Sequence, residues 1–291
     1  MKVAANGLEF EVEREGRGEP LLLLMGIGAQ LVLWPAELCE RLVRAGFEVV
    51  RMDNRDIGLS THLRHLPVPN PRSVMARAAL GLAVEAPYTL ADMADDVRAV
   101  LDVLGVERVH VVGASMGGMI AQTLAIRHPS RVASLTSIMS TPGDRRYAFM
   151  ASPLALRALL GPVPRTREES VERMLSMFRV IGSRTHPIDE TVLREAAERS
   201  YDRGSNPAGF ARQFAAIAAS GSRREALRSL AVPTLAIHGT QDPLIPVAAG
   251  RATARLVPNG RLLELSSMGH DLPRPLWPAM TDAIRSVANE A

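Results

Sequence analysis

Three residues stand where nucleophilic catalysis would need them: Ser115, Asp242 and His270. Ser115 lies in VVGASMGGMI (111–120), within the pattern G-x-S-x-G. The apolar residues before it read as a buried strand and those after it as a helix. A serine on so tight a strand–turn–helix corner takes strained backbone angles, which push its Oγ out at the carboxyl edge of a sheet. Small residues at Gly113 and Gly117 let neighbouring backbone pass close by. The helix N-terminus turns free N–H groups toward the negative charge that forms after attack. The blander reading is a glycine-rich bend carrying a solvated serine.

A serine hydroxyl is a poor nucleophile until a base takes its proton, and the base needs an acid to orient it. Asp242 follows the strand-like TLAIHGT, in QDP, and His270 follows RLLELSS, in MGH. Both therefore fall just beyond strand ends, in the chain order Ser…Asp…His. Among the seven histidines the serious rival as base is His238, in AIHGT, in the same strand-end region as Asp242. His110 lies inside a strand, His128 ends a helix, and His62, His65 and His186 sit in irregular segments. For the acid, Asp271 adjoins His270, where the backbone makes a ring-to-carboxylate bond awkward, and Asp102 reads as solvated helix surface. A hole for the oxyanion calls for the backbone N–H of Met116 and a second donor from GIGAQ, by position Ile27, with Gly28 as the rival. A plain strand-to-helix turn is the alternative for that loop.

These groups need a frame, and the pattern of elements supplies one. LEFEVERE alternates like a half-buried strand, while PLLLLMG, FEVVRMD, RVHVVGA and VASLTSIMS are short continuous apolar runs of the kind buried on both faces of a parallel sheet. Helical spacing runs from Pro35 to Ala45. A second helix, TLADMADDVRAVLDVLG, has Thr89 and Asp92 placed for a capping box and Gly105 as its stop. A closing helix runs from about Pro275 to Ala288. Strands alternating with helices predict an α/β fold with a mostly parallel central sheet flanked by helices, antiparallel at its first strands.

Two segments break the rhythm. Residues 62–88 hold four prolines and part a strand from its helix; VMARAALGLAV (74–84) is apolar enough for a helix near the site or for a partner contact. Residues 142–230 carry four helical patterns between two strands, too long for an ordinary connection. They read as a helical cap inserted in a core of residues 1–141 and 231–291. Met150, Met177, Phe178 and Phe214, with Leu154, Met174 and Phe210, are candidates to line a pocket beside Gly28, against the plainer role of packing the cap's helices together.

Composition narrows the partners. The 291 residues carry 34 basic and 31 acidic side chains, a formal charge of +3, and Lys2 is the sole lysine. Acidic residues are interspersed with the arginines, so no basic block points to nucleic acid. No apolar run approaches the ~20 residues of a membrane span. With one cysteine, Cys39 in an amphipathic helical pattern, there is neither an internal disulfide nor a cysteine-rich metal site. The N-terminal MKVAANGLEFEVEREG lacks a signal-peptide core, and the expected location is cytoplasmic, as a monomer or homodimer.

GASMGG, HGTQDP and SSMGH together resemble the nucleophile elbow, acid loop and histidine loop of the α/β-hydrolase superfamily. DNRDIGLS (53–60) resembles the family's D-x-R-G-x-G-x-S segment, with Asp56 where glycine is common, and MGIG has Met25 where many members have histidine. LMGIGAQLVLW taken with DNRDIGLS is most similar to the aclacinomycin methylesterase-like esterases. The resemblance implies the α/β-hydrolase fold; the features of the chain taken together favour a small to medium apolar carboxylic ester as substrate. The resemblance also implies an acyl-enzyme on Ser115 with His270 as base and Asp242 orienting it, and no metal or organic cofactor. The same triad serves perhydrolases, haloperoxidases, lactonases and carbon–carbon bond hydrolases, which stay open as alternatives, and a non-catalytic binding protein is the outlying one.

Overall fold

A computed structural model describes all 291 residues. Eight strands form one sheet: β1 (Lys2–Ala5), β2 (Leu8–Gly16), β3 (Glu19–Leu24), β4 (Phe47–Met52), β5 (Val109–Ala114), β6 (Val132–Ile138), β7 (Thr234–Gly239) and β8 (Gly260–Leu265). Their spatial order is β1-β2-β4-β3-β5-β6-β7-β8. β1 pairs β2 and β2 pairs β4 antiparallel; every other neighbour is parallel. The short β1 was not legible as a strand; it gains its identity from pairing with β2.

The helices are α1 (Ala36–Arg44), α2 (Pro71–Leu80), α3 (Leu90–Val103), α4 (Met116–Arg127), α5 (Arg145–Phe149), α6 (Pro153–Leu159), α7 (Arg167–Ile181), α8 (Glu190–Arg203), α9 (Pro207–Ala219), α10 (Arg224–Arg228), α11 (Val247–Leu256) and α12 (Trp277–Ala288). Six of them, α5 to α10, lie in the long stretch between β6 and β7, two more than the four patterns read there. Both additions, α5 and α10, are five residues long, too short to show a period.

Side chains alternate across the sheet, and the continuous apolar strands follow from that. Leu22 and Leu24 enter one cluster with α3 and α4. Leu21 and Leu23 enter another with α1 and α12, so both faces of β3 are buried. Cys39 belongs to the second cluster, where burial pushes its thiol up to about 11 and leaves it inert. Thr89 and Asp92 do form the capping box that starts α3. α2 begins at Pro71 rather than near residue 74, because Asn70 caps it, and left-handed Gly81 ends it. No helix is long and apolar enough to cross a membrane.

Parallel registry brings the carboxyl ends of the central strands together. Leu24 sits opposite Met52 and Gly113, Gly113 opposite Ser137, and Ile138 opposite Ile237. The loops leaving these ends share one edge, the crevice where open α/β sheets bind ligands.

Candidate active site

Ser115 sits between β5 and α4 with φ 55° and ψ −118°, a left-handed conformation that costs a non-glycine residue of order 1–3 kcal/mol. The corner is tight enough to hold it. A Cβ at 113 would collide with the Gly117 carbonyl, and one at 117 with the Leu24 carbonyl at the end of β3. Ser115 N–H donates to Ile138 O (2.9 Å), and Ser140 Oγ donates to Ser115 O (2.8 Å), tying the turn to the end of β6.

The loops after β7 and β8 bring two further groups to this serine. His270 Nε2 lies 3.0 Å from Ser115 Oγ, and His270 Nδ1 lies 2.7 Å from Asp242 Oδ2. Asp242 Oδ1 accepts from the N–H groups of Leu244 and Ile245, both at 2.9 Å. Burial pushes the Asp242 carboxyl up. The charge and hydrogen bonds of His270 and His238 outweigh that and hold it well below the usual carboxylate range. His238 backs the acid rather than facing the serine: its Nε2 donates to Ile245 O at 2.9 Å and stands 3.5 Å from Asp242 Oδ2. Asp271 points elsewhere. It accepts from Ser183 N–H (3.1 Å) and Ser183 Oγ just past α7, and Ser183 Oγ in turn accepts from Gly269 N–H (2.8 Å). His270 N–H donates to Ile181 O (2.7 Å), so the histidine loop is fastened to the end of α7.

The loop after β3 passes directly over the serine. A Cβ at Gly26 would lie 3.2 Å from Ser115 Cβ and 3.7 Å from its Oγ. Ala29 N–H bonds back to Gly26 O (3.2 Å), and Gly28 takes φ +68°, as the third position of a type II turn requires. Gly28 N–H is occupied: it donates to Gln213 Oε1 of α9 at 2.9 Å. The N–H groups of Ile27 and Met116 have no protein acceptor.

The loop after β4 carries the acidic anchors. Asp53 accepts from Leu31 N–H (2.7 Å), Leu59 N–H (3.0 Å) and Arg203 of α8 (2.6 Å). Asp56 takes a two-pronged bond from Arg212 of α9, both prongs at 2.8 Å, and a third from Leu63 N–H (2.7 Å). Its φ of +69° explains why glycine suits that position in the family pattern. Burial raises the Asp56 carboxyl, but Arg212 and Leu63 N–H pull it below its ordinary value.

The alpha/beta hydrolase fold family matches residues 19–273 of this chain. The chain belongs to that family. This hydrolase is 30% identical over 305 residues to rhodomycin D methylesterase DnrP of Streptomyces peucetius, covering 95% of this chain and 94% of that protein. It is 31% identical over 216 residues to a 2-hydroxymuconate semialdehyde hydrolase of Pseudomonas putida, covering 68% of this chain and 70% of that one. Among solved structures, an enol-lactonase from Burkholderia xenovorans superposes with a TM-score of 0.74 at 22% identity, covering 99% of this chain and all of that one, a likeness of fold.

The residues considered for a pocket in this hydrolase scatter. Met150 is 56% exposed and borders an open hollow lined by Arg146, Tyr147 and Arg224, with none of Ser115, Asp242 and His270 in its lining. Phe178 and Met174 pack on Val171, Leu175, Leu193 and Ala197, the interior of the α7–α8 pair. Met177 and Phe214 are half-buried on α7 and α9. Phe210 instead meets the loop after β3, where a Cβ on Gly28 would lie 2.7 Å from its ring. Ser183, Arg203, Arg212 and Gln213 leave no motif in the sequence, since they occupy ordinary helical or post-helical positions; the off-pattern Asp56 is the local sign that a cation must come from elsewhere.

Proposed function

We propose that this hydrolase is a carboxylic ester hydrolase working through an acyl-enzyme on Ser115, with His270 as base and Asp242 orienting it. The observation that carries the reading is the continuous relay of His270, 3.0 Å from Ser115 Oγ on one side and 2.7 Å from Asp242 on the other. Ser115 Oγ attacks the ester carbonyl while His270 Nε2 takes its proton. Asp242 keeps the second imidazole proton on Nδ1 and steadies the cation that forms. The oxyanion meets the free N–H groups of Met116 and Ile27; the engagement of Gly28 N–H by Gln213 favours Ile27 over its neighbour. His270 returns the proton to the departing alcohol; it then draws one from water as that water attacks the acyl carbonyl, and passes it to Ser115 Oγ as the acid leaves.

Residues 142–230 act in this reading as a cap over a core of 1–141 and 231–291, supported by the bonds from α8 and α9 to the loops after β3 and β4. The substrate is a small molecule, and similarity to a methylesterase favours an acid esterified with methanol. Hydrolysis of short p-nitrophenyl and methyl esters, lost in Ser115→Ala with the fold retained, tests the assignment; full activity in that variant would refute it. Carbon–carbon hydrolysis is the second reading, favoured by the similarity to the 2-hydroxymuconate semialdehyde hydrolase. Turnover of that semialdehyde faster than of any ester would put it first.

A further inference from the structure

The bond between Gly28 and Gln213 reaches the reaction centre from a helix that contributes nothing to the relay of Ser115, His270 and Asp242. Gln213 has no solvent exposure, and its amide is used at both ends. Oε1 accepts from Gly28 N–H (2.9 Å) and Nε2 donates to Arg55 O (2.9 Å). Arg55 is fixed in turn by Asp96 of α3 through bonds of 2.5 and 2.7 Å, and Asn6 holds the same carboxylate at 2.7 Å. The Gly28 N–H is therefore clamped by a chain of polar groups, buried at Gln213, Arg55 and Asp96 and reaching the surface at Asn6 on the sheet's flank.

The clamp falls on the one soft joint of the loop. In a turn with a positive φ at its third residue, the central peptide, here Ile27–Gly28, can flip between its two common orientations by rotating the Ile27 ψ and Gly28 φ angles together. A flip would bring the Ile27 carbonyl to where Gly28 N–H now stands and disturb the Ile27 amide beside it. An acceptor on Gly28 N–H opposes the flip, because the flipped state would set a carbonyl against the Gln213 oxygen and leave a buried amide unpaired.

We infer that Gln213 is a positioning residue for the oxyanion hole: through Gly28 it holds the Ile27 N–H in place, so that α9, within the stretch between β6 and β7, sets transition-state stabilisation. This rests on the esterase reading above. Its signature is a loss that falls on the transition state and spares ground-state binding.

The test compares wild type, Gln213→Met and Gln213→Glu on a p-nitrophenyl ester, and measures inhibition by an alkyl trifluoromethyl ketone, which forms a tetrahedral adduct with serine. Gln213→Met, apolar and of similar length, lowers kcat about 10- to 100-fold, short of deleting a donor outright, with KM changed less than about threefold. Affinity for the ketone falls by the same factor as kcat/KM. Gln213→Glu, which keeps an acceptor for Gly28 N–H, recovers part of the loss. Should Gln213→Met fail to fold, Gln213→Asn, whose amide falls short of Gly28, replaces it with the same expectation. Wild-type kcat in the folded variant overturns the inference, as does a ketone affinity that stays unchanged while kcat falls. A wild-type protein without esterase activity would instead refute the function itself, so the two failures are told apart.

Discussion

Arg212→Met removes one half of a buried ion pair and leaves the other stranded. Arg212 is 1% exposed and Asp56 has no exposure, and two 2.8 Å bonds join them. Breaking such a pair from one side costs about 3–5 kcal/mol, because the remaining buried charge loses its counter-ion. Asp56 keeps the Leu63 N–H at 2.7 Å, which places the loss at the lower end, about 3 kcal/mol. For a chain of this size that is a fall in Tm of roughly 6 °C. The loss also depends on pH, with a definite sign. In wild type the folded-state Asp56 titrates below its unfolded value of about 3.9, so its stabilisation is complete above that value and is lost as pH falls through the folded one. In the variant, burial without a cation raises the folded value above the unfolded one, and taking up a proton on acidification relieves the penalty. The gap between wild type and variant is thus widest at neutral pH and narrows toward about pH 4. Asp56→Gly/Arg212→Met removes both charges and gives glycine the φ of +69°, relieving about 1 kcal/mol of backbone strain, so it melts above Arg212→Met. Thermal melts by circular dichroism at neutral and mildly acid pH read all three proteins. A Tm for Arg212→Met within about 2 °C of wild type, or a gap equal at both pH values, would refute the argument.

Three further outcomes are expected. Ser115→Gly abolishes ester hydrolysis yet melts about 2–6 °C above Ser115→Ala, because glycine tolerates φ 55° and alanine does not; equal melting temperatures would mean the corner stores no strain. Ser183→Ala strips Asp271 and Gly269 N–H of a shared partner, costs about 1–3 kcal/mol and lowers kcat by loosening the histidine loop; unchanged urea midpoints would contradict it. Asp242→Asn lowers kcat about 10⁴-fold. Since the wild-type Asp242 carboxyl is held well below the usual range, its proton uptake does not shape the pH–rate profile above about pH 4, and a two-proton acid limb there would count against the geometry.

What the sequence reveals about this molecule follows the range of the interactions. Strands such as PLLLL and VHVVGA are legible because burial on both faces leaves a local trace, an unbroken apolar run. Ser115 and Asp242 stand out because each follows such a run, His270 because it follows the strand-like RLLELSS, and the parallel registry turns that shared position into proximity. Gln213 and Arg212 leave no comparable trace. Each sits inside an ordinary helical pattern, and their partners Gly28 and Asp56 lie more than 150 residues away along the chain. Their burial is visible only once the helices are packed against the strand-end loops. Phe210 and Met150 show the same limit: both are large apolar residues in helical patterns, one within α9 and one just past α5, and packing alone sends the first to the loop above Ser115 and the second to open surface.

The anchoring of α8 and α9 bears on how such enzymes diversify. Asp53, Asp56 and Gly28 are completed by Arg203, Arg212 and Gln213, and neither set is satisfied without the other. The stretch between β6 and β7 therefore cannot be exchanged as a free module. A chimera that imports a foreign stretch would inherit two buried carboxylates without their cations and an unclamped loop, unless the loops after β3 and β4 travel with it. The unit that must be inherited together is discontinuous: α8 and α9 plus two loops encoded more than a hundred residues upstream of them.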